Sequence, residues 1–251
     1  MEQVSMQGSI AIVTGAAGGI GAATARSLAA LGATVLLTDT QQTEGVKVAV
    51  AIGDNAHFMM HDVSRSGEWE NVVRVAEDRF GPVSILINNA GTTAPIMPLD
   101  QVSEADYRRV VEINQLSCFL GMKAVVPSMR RAGAGAIVNI SSVAGLQPER
   151  GAIAYVASKY AVTGMTKVAA LDLAALSIRV NSVHPGLVDT PMVRPRGDDQ
   201  AFETIAQFAK GLPIPRPGRP EEIASLIVFL ASDAASFLTG GSYAADGGWT
   251  L

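Results

Sequence analysis

A tyrosine and a lysine stand four residues apart in an apolar, helix-like segment of this 251-residue chain. Positions i and i+4 share one face of a helix, so Tyr155 and Lys159 can act together. A nearby ammonium favours the phenolate and lowers the pKa of a phenol, which is ordinarily about 10. A phenol tuned in this way can exchange a proton with the oxygen of an alcohol or ketone. The pair alone is a weak signal, because helices carry such pairs by chance.

Two further polar residues suit the same chemistry. Ser142 follows an apolar run and precedes Tyr155 by 13 positions, so its hydroxyl could hydrogen-bond the same substrate oxygen, with Ser141 as the local rival. Asn114 falls inside a long predicted helix, where asparagine is a poor helix former. Its side chain is therefore expected to bind water or a neighbouring side chain.

A glycine-rich loop follows the first predicted strand, with the sequence TGAAGGIG at residues 14–21. Glycines let the backbone turn sharply and approach a ligand closely. The helix that follows offers unpaired N–H groups and a positive dipole end, which attract a pyrophosphate. The spacing is G-x-x-x-G-x-G rather than the common G-x-G-x-x-G. The predicted cofactor contacts in this loop are Gly15, Gly18, Gly19, Ile20 and Gly21.

Asp39 ends the second predicted strand, 18 residues after Gly21. A carboxylate at this position can accept hydrogen bonds from the adenosine ribose and would repel the additional phosphate of NADP. Its neighbours Ala16, Ala17 and Thr40 offer no cation to such a phosphate. The prediction is NAD rather than NADP, and the ordinary alternative is a helix N-cap.

Two more polar turns follow predicted strands. Asp62-Val63 comes after the third strand and Asn88-Asn89-Ala90-Gly91 after the fourth. Ligands of open α/β sheets bind at the carboxyl ends of strands. Asp62 could reach adenine, and Gly91 would permit close approach of the cofactor. The cofactor contacts predicted here are Asp62, Val63, Asn89, Ala90 and Gly91.

The elements that must position these residues are short apolar strands alternating with helices. Continuous apolar strands are typical of a parallel sheet buried on both faces, and the alternation predicts βαβ crossovers. We expect a doubly wound, Rossmann-like α/β fold with seven mainly parallel strands and helices on both faces. No linker interrupts the series, so residues 1–251 are read as a single domain. The predicted strands are Ile10–Thr14, Thr34–Thr38, Ala56–Met60, Val83–Asn88, Ala136–Ser141, Ile178–His184 and Gly241–Ala245, and the longest predicted helices are Ser103–Arg131 and Ala152–Leu176.

Residues 191–220 depart from this pattern, because they hold six of the 12 prolines. A long irregular stretch in a compact domain is usually functional. We interpret it as a substrate lid, with a short helix over Gln200–Lys210; the alternative is a surface excursion without a role.

The composition excludes several classes of protein. Charged residues are 17% of the chain and hydrophobic residues 48%, with a net charge of −4 and a pI of about 5.4. Disorder and nucleic-acid binding are both disfavoured by these values. No apolar stretch is long enough to span a membrane, and the single cysteine suits a reducing compartment. The three histidines lack metal-ligand spacing. We expect a cytoplasmic protein with no metal, no membrane contact and no nucleic-acid partner.

Taken in order, the motifs resemble the single-domain type of the short-chain dehydrogenase/reductase family, and the resemblance covers nearly the whole chain. The matching pieces are residues 14–21, 62–63, 88–91, Asn114, Ser142, Tyr155, Lys159, PGLVDT at 185–190, and the ending TGG at 239–241 with DGG at 246–248.

The resemblance implies roles for these positions. Tyr155 is the general acid/base and Ser142 orients the substrate oxygen. Lys159 holds the ribose hydroxyls and lowers the pKa of Tyr155, and Asn114 positions a water that links Lys159 to solvent. The loop of Pro185, Gly186, Val188 and Thr190 borders the nicotinamide, with the Val188 backbone and the Thr190 hydroxyl on its carboxamide. The resemblance also implies a homotetramer, with the two long helices in one interface and the C-terminal end near another.

The substrate prediction is an apolar secondary alcohol or ketone, because the pocket candidates are nearly all apolar. Local similarity around Ser142 and after His184 suggests a hydroxysteroid or related bulky alcohol. The alternative is a 3-oxoacyl-thioester reductase with Arg130 and Arg131 docking an acyl carrier protein, and a remote one is a catalytically silent nucleotide-binding regulator. Besides Ser142 and Tyr155, the predicted substrate contacts are Ala144, Leu146, Leu187, Met192, Phe202 and Ile205.

Overall fold

A computed structural model describes residues 5–193 and 199–251, except for the side chains of residues 199–202. Its centre is a seven-stranded sheet with the order β3-β2-β1-β4-β5-β6-β7, and every neighbouring pair of strands is parallel. The doubly wound α/β fold class is therefore confirmed. The strands are β1 Ile10–Thr14, β2 Thr34–Asp39, β3 Ala56–Met60, β4 Ile85–Asn88, β5 Gly135–Ile140, β6 Ile178–Pro185 and β7 Ser242–Ala245.

The helices cover both faces of the sheet, because alternate strand residues feed two separate cores. Ala11 and Val13 of β1 face a core that contains residues of α1 and α8. Ile10 and Ile12 face the opposite core, which contains residues of α3, α5 and α6. No helix in residues 5–193 and 199–251 has the length and apolar character to cross a bilayer. The helices are α1 Gly19–Ala30, α2 Gln42–Ile52, α3 Ser66–Phe80, α4 Glu104–Val111, α5 Ser117–Ala132, α6 Ile153–Leu173, α7 Asp199–Ala209 and α8 Pro220–Ala231.

The long helix predicted over Ser103–Arg131 is wrong in one respect, because a π-helical turn at Glu112–Leu116 separates α4 from α5. Asn114 lies in that turn, and its side chain pairs with the backbone of Thr92 in the loop after β4. Such π-turns inside helices are frequent at functional sites. The other boundaries differ from prediction by a few residues at most, which is ordinary for helix and strand ends.

β1 and β4 are neighbours in the middle of the sheet. The chain continues from β1 towards β2 and β3 on one side, and from β4 towards β5, β6 and β7 on the other. A crevice opens at such a switch point, outside the carboxyl ends of the strands. The glycine loop follows β1 and the Asn88–Gly91 turn follows β4, so both meet at this crevice.

Candidate active site

A cavity of about 690 Å³ occupies the crevice at the carboxyl ends of the strands. It brings together residues predicted for the cofactor and residues predicted for catalysis. The predicted residues that line it are Gly15, Gly18, Gly19, Ile20, Asp39, Asp62, Val63, Asn89, Ala90, Gly91, Ser142, Tyr155, Lys159, Pro185, Gly186, Val188, Thr190 and Met192.

The glycine loop lies tightly against the turn after β4. Gly15 has φ +63°, and a Cβ there would come within 2.8 Å of the Ala90 Cα. Gly21 does not line the cavity; a Cβ at Gly21 would collide with the carbonyl oxygen of Gly15. Gly21 therefore supports the loop from behind. Asn89 braces the same loop, because its side-chain Nδ2 donates to the carbonyl oxygens of Thr14 and Gly15 at 2.9 and 3.0 Å.

The start of α1 is open to an anion. Its N-cap, Gly18, has no side chain to cap the helix, and no acidic residue occurs in the first turn. The first N–H groups of a helix lack intrahelical partners and carry the positive end of its dipole. The backbone here fits the pyrophosphate of a dinucleotide.

Asp39 does two structural jobs at the end of β2. One carboxylate oxygen accepts from the Ala17 N–H at 3.0 Å, and the other accepts from the Gln41 N–H at 3.0 Å. The first bond ties the glycine loop to β2, and the second closes a local turn two residues long before α2. The N-cap of α2 is Gln41, so Asp39 is not the helix cap that was the alternative to a ligand role. The carboxylate also borders the cavity, and each of its oxygens can accept more than one hydrogen bond.

Asp62 is held by its own turn at the end of β3. Its Oδ1 accepts from both the backbone nitrogen and the hydroxyl of Ser64, at 3.0 and 2.7 Å. The hydrogen bond from the Ser64 hydroxyl is the main reason that the pKa of Asp62 lies below its ordinary value. The carbonyl of Val63 accepts from the indole of Trp69 at 2.9 Å. These bonds fix the turn at one end of the cavity.

Ser142 and Tyr155 meet at the other end of the cavity. Ser142 opens a short 3₁₀ turn after β5, and its Oγ accepts from the Ala144 N–H at 3.1 Å. Burial raises the pKa of the Tyr155 hydroxyl, while a hydrogen bond from Ser142 acts in the opposite direction. The rival Ser141 donates its hydroxyl to the carbonyl of Lys159 at 3.0 Å. Ser142, not Ser141, is thus the serine that faces Tyr155.

The predicted lowering of the Tyr155 pKa by Lys159 is not found. The Lys159 ammonium lies 5.6 Å from the centre of the Tyr155 ring and donates instead to the carbonyl of Ile140 at 2.8 Å. Lys159 is only 4% exposed, and burial lowers its own pKa to about 8. Removal from water disfavours both charged forms, the phenolate and the ammonium. The largest influence on the pKa of Tyr155 is therefore its burial, and the smaller influences come from Ser142 and Glu149 and not from Lys159.

Asn114 lies behind this pair and not in the cavity wall. Its Oδ1 accepts from the Thr92 N–H at 2.7 Å, and its Nδ2 donates to the Thr92 carbonyl at 2.9 Å and the Ser158 hydroxyl at 3.1 Å. The side chain thus joins the loop after β4 to α6, next to the helical turn of Lys159. Its water-holding role stays a prediction.

The loop at residues 185–190 is held from two sides. The Gly186 N–H donates to Ala245 of β7 at 3.2 Å. Val188 forms a parallel bridge with Gly218, whose N–H donates to the Leu187 carbonyl at 2.8 Å. Val188 and Thr190 thereby face the cavity from a fixed backbone.

Besides Ser142 and Tyr155, few of the predicted substrate contacts line the cavity. Met192 borders the cavity and is half exposed, whereas Leu187 and Ile205 are half-buried away from its wall. Ala144 is buried in the turn that carries Ser142, and Leu146 points to the surface. The side chain of Phe202 lies outside the described residues. The apolar wall near Ser142 is thus formed by fewer of these residues than expected.

The structure also adds a residue that sequence reasoning missed. His61 directly follows β3 and borders the cavity. Its Nδ1 lies 3.2 Å from the Thr38 hydroxyl, while its buried Nε2 has no hydrogen-bond partner. Burial lowers its pKa. Its position at the carboxyl end of a strand, shared with Asp39 and Asn88, was the signal that could have found it.

Comparisons with known proteins match one family model and several dehydrogenases that are named for hydroxyl compounds. A family model described as enoyl-(acyl carrier protein) reductase matches residues 15–250. The chain is 40% identical to a 3-alpha-(or 20-beta)-hydroxysteroid dehydrogenase of Mycobacterium tuberculosis, over 96% of this chain and 89% of the relative. It is 44% identical to a trans-4-hydroxycyclohexanecarboxylate dehydrogenase of Sinomonas cyclohexanicum (96% and 92% covered). It is 39% identical to a cyclohexanol dehydrogenase of an Acinetobacter species (96% and 94% covered).

Proposed function

The chain belongs to the short-chain dehydrogenase/reductase family, and from that premise we propose that it interconverts a secondary alcohol and a ketone on an apolar substrate with NAD(H). The family suggested by the motifs is confirmed. The enzyme is an oxidoreductase that acts on CH–OH groups with a nicotinamide cofactor.

One observation carries the proposal: a single cavity has an open helix N-terminus and Asp39 at one end, and Ser142 with Tyr155 at the other. Its lining residues run from the carboxyl ends of β2 and β3 to the turn after β5, which is the path that a dinucleotide would take from the glycine loop to the paired hydroxyls. The nicotinamide, when bound, supplies hydride transfer. The protein supplies binding, orientation and proton handling at the substrate oxygen.

Tyr155 is the group that gives or takes the substrate proton. Ser142 accepts a hydrogen bond from the Ala144 N–H, so its one hydroxyl hydrogen remains for donation. It would turn from Tyr155 to the substrate oxygen when the substrate binds. Lys159 would move from the Ile140 carbonyl to the ribose hydroxyls and bring its positive charge close to Tyr155. That charge would favour the phenolate, which is disfavoured by burial alone.

NAD is favoured over NADP by the position of Asp39. Its carboxylate borders the cavity close to the start of α1. A negative charge there accepts hydrogen bonds from ribose hydroxyls and repels a 2′-phosphate.

The substrate class follows from the relatives and from the pocket. The relatives are named for steroid and cyclic alcohols, and the cavity wall beside Ser142 includes the apolar side chains of Val188 and Met192. We propose a cyclic secondary alcohol, with a hydroxysteroid as the bulkiest candidate. We also propose that residues 191–220 cover it as a lid, of which residues 194–198 lie outside the described residues.

The rival proposal is a 3-oxoacyl-thioester reductase. The description of the matching family model shares with it an acyl-carrier substrate, although that description names reduction of an enoyl double bond and not of a 3-oxo group. The rival proposal required Arg130 and Arg131 as docking groups for an acidic carrier. Arg131, however, pairs with Glu77, which also accepts a hydrogen bond from Ser128. This arginine already serves the packing of α5 on α3.

We also propose a homotetramer. Large apolar side chains are exposed on α5 and α6 and near the C-terminal end, and an interface between subunits would remove them from water. Those on the two long helices and the preceding π-turn are Leu116, Phe119, Tyr160, Val168 and Leu171, and those near the end of the chain are Phe237 and Leu251. Light scattering on the purified protein tests the oligomeric state, and a monomeric mass would contradict it.

The activity is tested with purified protein, NAD or NADP, and a panel of cyclohexanol, cyclopentanol, hydroxysteroids, diols and 3-hydroxyacyl thioesters. We expect NADH formation with cyclic secondary alcohols and little with thioesters. Turnover of the thioesters alone would favour the rival reductase. NAD binding without turnover of any substrate would favour a silent regulator.

A further inference from the structure

His184 lies at the carboxyl end of β6 and is fully buried. Its Nδ1 lies 2.9 Å from the carbonyl oxygen of Ser142, and its Nε2 lies 2.9 Å from the hydroxyl of Ser182. A carbonyl oxygen can only accept, so Nδ1 must carry the hydrogen. Nε2 can then accept from the Ser182 hydroxyl, whose nearest other acceptor, the Gly241 carbonyl, is farther away at 3.3 Å. Both contacts are satisfied at once by a neutral ring with its proton on Nδ1.

The charge around the ring also keeps it neutral. Burial lowers the pKa of His184, and the positive charges of Lys159 and Lys167 act in the same direction. The hydrogen bond to Ser142 raises the pKa and is a stronger effect than either lysine, but burial is the largest effect and the pKa stays below its ordinary value. His184 is therefore a fixed hydrogen-bond donor and does not change its charge near neutral pH.

The carbonyl of Ser142 has one other donor, the Gly145 N–H at 2.9 Å. Gly145 belongs to the same short turn, so this bond shapes the turn without fixing it to the sheet. The last backbone bond between the two segments is the Ser141 N–H on the Val183 carbonyl, at 2.8 Å. The hydrogen bond from His184 attaches the next residue, Ser142, to β6 as well, and Ser142 is the residue whose hydroxyl faces Tyr155.

We propose that His184 is a positioning residue, which holds the Ser142 peptide against β6 so that the Ser142 hydroxyl stays within reach of Tyr155 and the substrate oxygen. This inference rests on the proposed alcohol dehydrogenase function. Catalysis depends steeply on such placement, since a shift of about 1 Å at a reacting group can cost roughly 100-fold in rate.

Two amide substitutions test the roles of the two ring nitrogens of His184 separately. The amide nitrogen of asparagine takes the place of Nδ1, whereas that of glutamine takes the place of Nε2. H184N therefore keeps the donor to Ser142, and H184Q loses it. We expect kcat of H184Q to fall by about 10- to 100-fold, with the Kd for NAD and the KM for cyclohexanol little changed. We expect H184N to recover most of the lost kcat.

The control is H57Q, the same change at a histidine within β3, the strand at the far edge of the sheet, where its ring stacks on Phe80. This variant should leave kcat unchanged. Wild-type kcat in H184Q would overturn the inference, and so would equal losses in H184Q and H184N, since these mean a purely structural role. A wild-type protein that oxidises no secondary alcohol contradicts the proposed function instead.

A measurement on the unaltered protein decides the case if the variants do not fold. Nitrogen-15 NMR of the histidine rings distinguishes the two neutral tautomers by the chemical shifts of Nδ1 and Nε2. A hydrogen on Nδ1 of His184 is expected. A hydrogen on Nε2 would overturn the inference, because the ring would then have nothing to donate to Ser142.

Discussion

The Asp39 carboxylate accepts a hydrogen bond from the backbone nitrogen of Ala17 at 3.0 Å, which joins the end of β2 to the glycine loop. The residue proposed to choose between NAD and NADP is therefore also part of the scaffold of the loop that binds the pyrophosphate. A change at Asp39 should alter two properties at once, the choice of cofactor and the order of the loop.

The first prediction concerns this choice. Replacement of Asp39 by alanine removes a charged acceptor, and hydrogen bonds to charged groups contribute about 1.5–3 kcal/mol. We expect the ratio of kcat/KM for NAD to that for NADP to fall by about 10- to 100-fold. D39N keeps a side-chain acceptor for the Ala17 N–H and separates the loss of charge from the loss of loop support. An unchanged ratio in both variants would contradict the ribose-binding role.

The second prediction concerns the proton at the substrate oxygen. Tyr155→Phe removes the hydroxyl that meets Ser142 and keeps the ring. General acid–base catalysis contributes about 100- to 10,000-fold in rate, so kcat should fall within that range while the Kd for NAD stays near that of the wild type. Tyr107→Phe, an exposed tyrosine on α4, is the matched control. A Tyr155→Phe enzyme with normal turnover would rule out the proton-transfer role.

The third prediction concerns the charge of Lys159. Burial lowers its pKa from 10.5 to about 8 in the cofactor-free protein, so the ammonium is present below pH 8 and is lost as the pH rises through that value. If the charged form holds the ribose, the Kd for NAD should be constant below pH 7. Above pH 8 it should rise by up to about tenfold per pH unit.

Fluorescence titrations of NAD between pH 6.5 and 9.5 measure this dependence. Lys159→Met should bind NAD more weakly and show no break near pH 8. A wild-type Kd that does not change over the whole range would mean that the Lys159 charge takes no part in cofactor binding.

The fourth prediction concerns stability in acid. Burial lowers the pKa of His61 below 6.5 in the folded protein. At a pH just below 6.5, the unfolded chain therefore binds a proton at this histidine more readily than the folded protein does. The free energy of unfolding is then greatest above pH 6.5 and falls as the pH drops below it. Urea unfolding at pH 7.5, 6.5 and 5.5 measures the fall. His61→Phe, which keeps a ring at the edge of Trp69, should show a smaller fall; an equal fall would assign the effect to other groups.

The fold could be predicted from the sequence because its signal is local. The central strands β1, β2 and β4 are mainly apolar runs of four to six residues, and the parallel sheet follows from their burial on both faces. The π-turn at Asn114 is different, since it depends on Thr92, 22 residues earlier. No pattern within one helix contains that contact.

The residues of the site fall into the same two groups, those predicted from local sequence and those that depend on contacts between distant parts of the chain. The glycine loop and the polar strand ends are found from residue type and position alone. The direction of the Tyr155 pKa shift could not be predicted in this way. The spacing shows that Lys159 is near Tyr155, but it does not show that burial disfavours both the phenolate and the ammonium. His184 could be judged only by its partners in the fold, and Ser142 lies 42 residues away. Apolar residues near Ser142 in sequence were expected in the pocket, yet Ala144 lies inside the turn and Leu146 outside it.

The last prediction concerns the lid. Phe208 of α7 packs on Trp249, with ring centroids 4.9 Å apart, and the Ile214 N–H donates to the Gly247 carbonyl at 2.9 Å. The carboxylate of Asp246 shapes the same C-terminal turn by accepting from the backbone of Gly248. The end of the chain therefore braces the segment proposed to cover the substrate. Aromatic pairs contribute about 0.5–1.5 kcal/mol beyond their buried area, so loss of the ring should release the lid without unfolding the sheet.

Trp249→Ala should therefore raise the KM for bulky alcohols by about two- to tenfold and change the order of preference within the alcohol panel. The Kd for NAD should stay constant, because the glycine loop and Asp39 lie at the other end of the cavity. Trp249→Phe keeps an aromatic ring against Phe208 and should restore most of the wild-type KM. Identical KM values and substrate preferences in the alanine variant and the wild type would show that the C-terminal turn supports the fold without governing the lid.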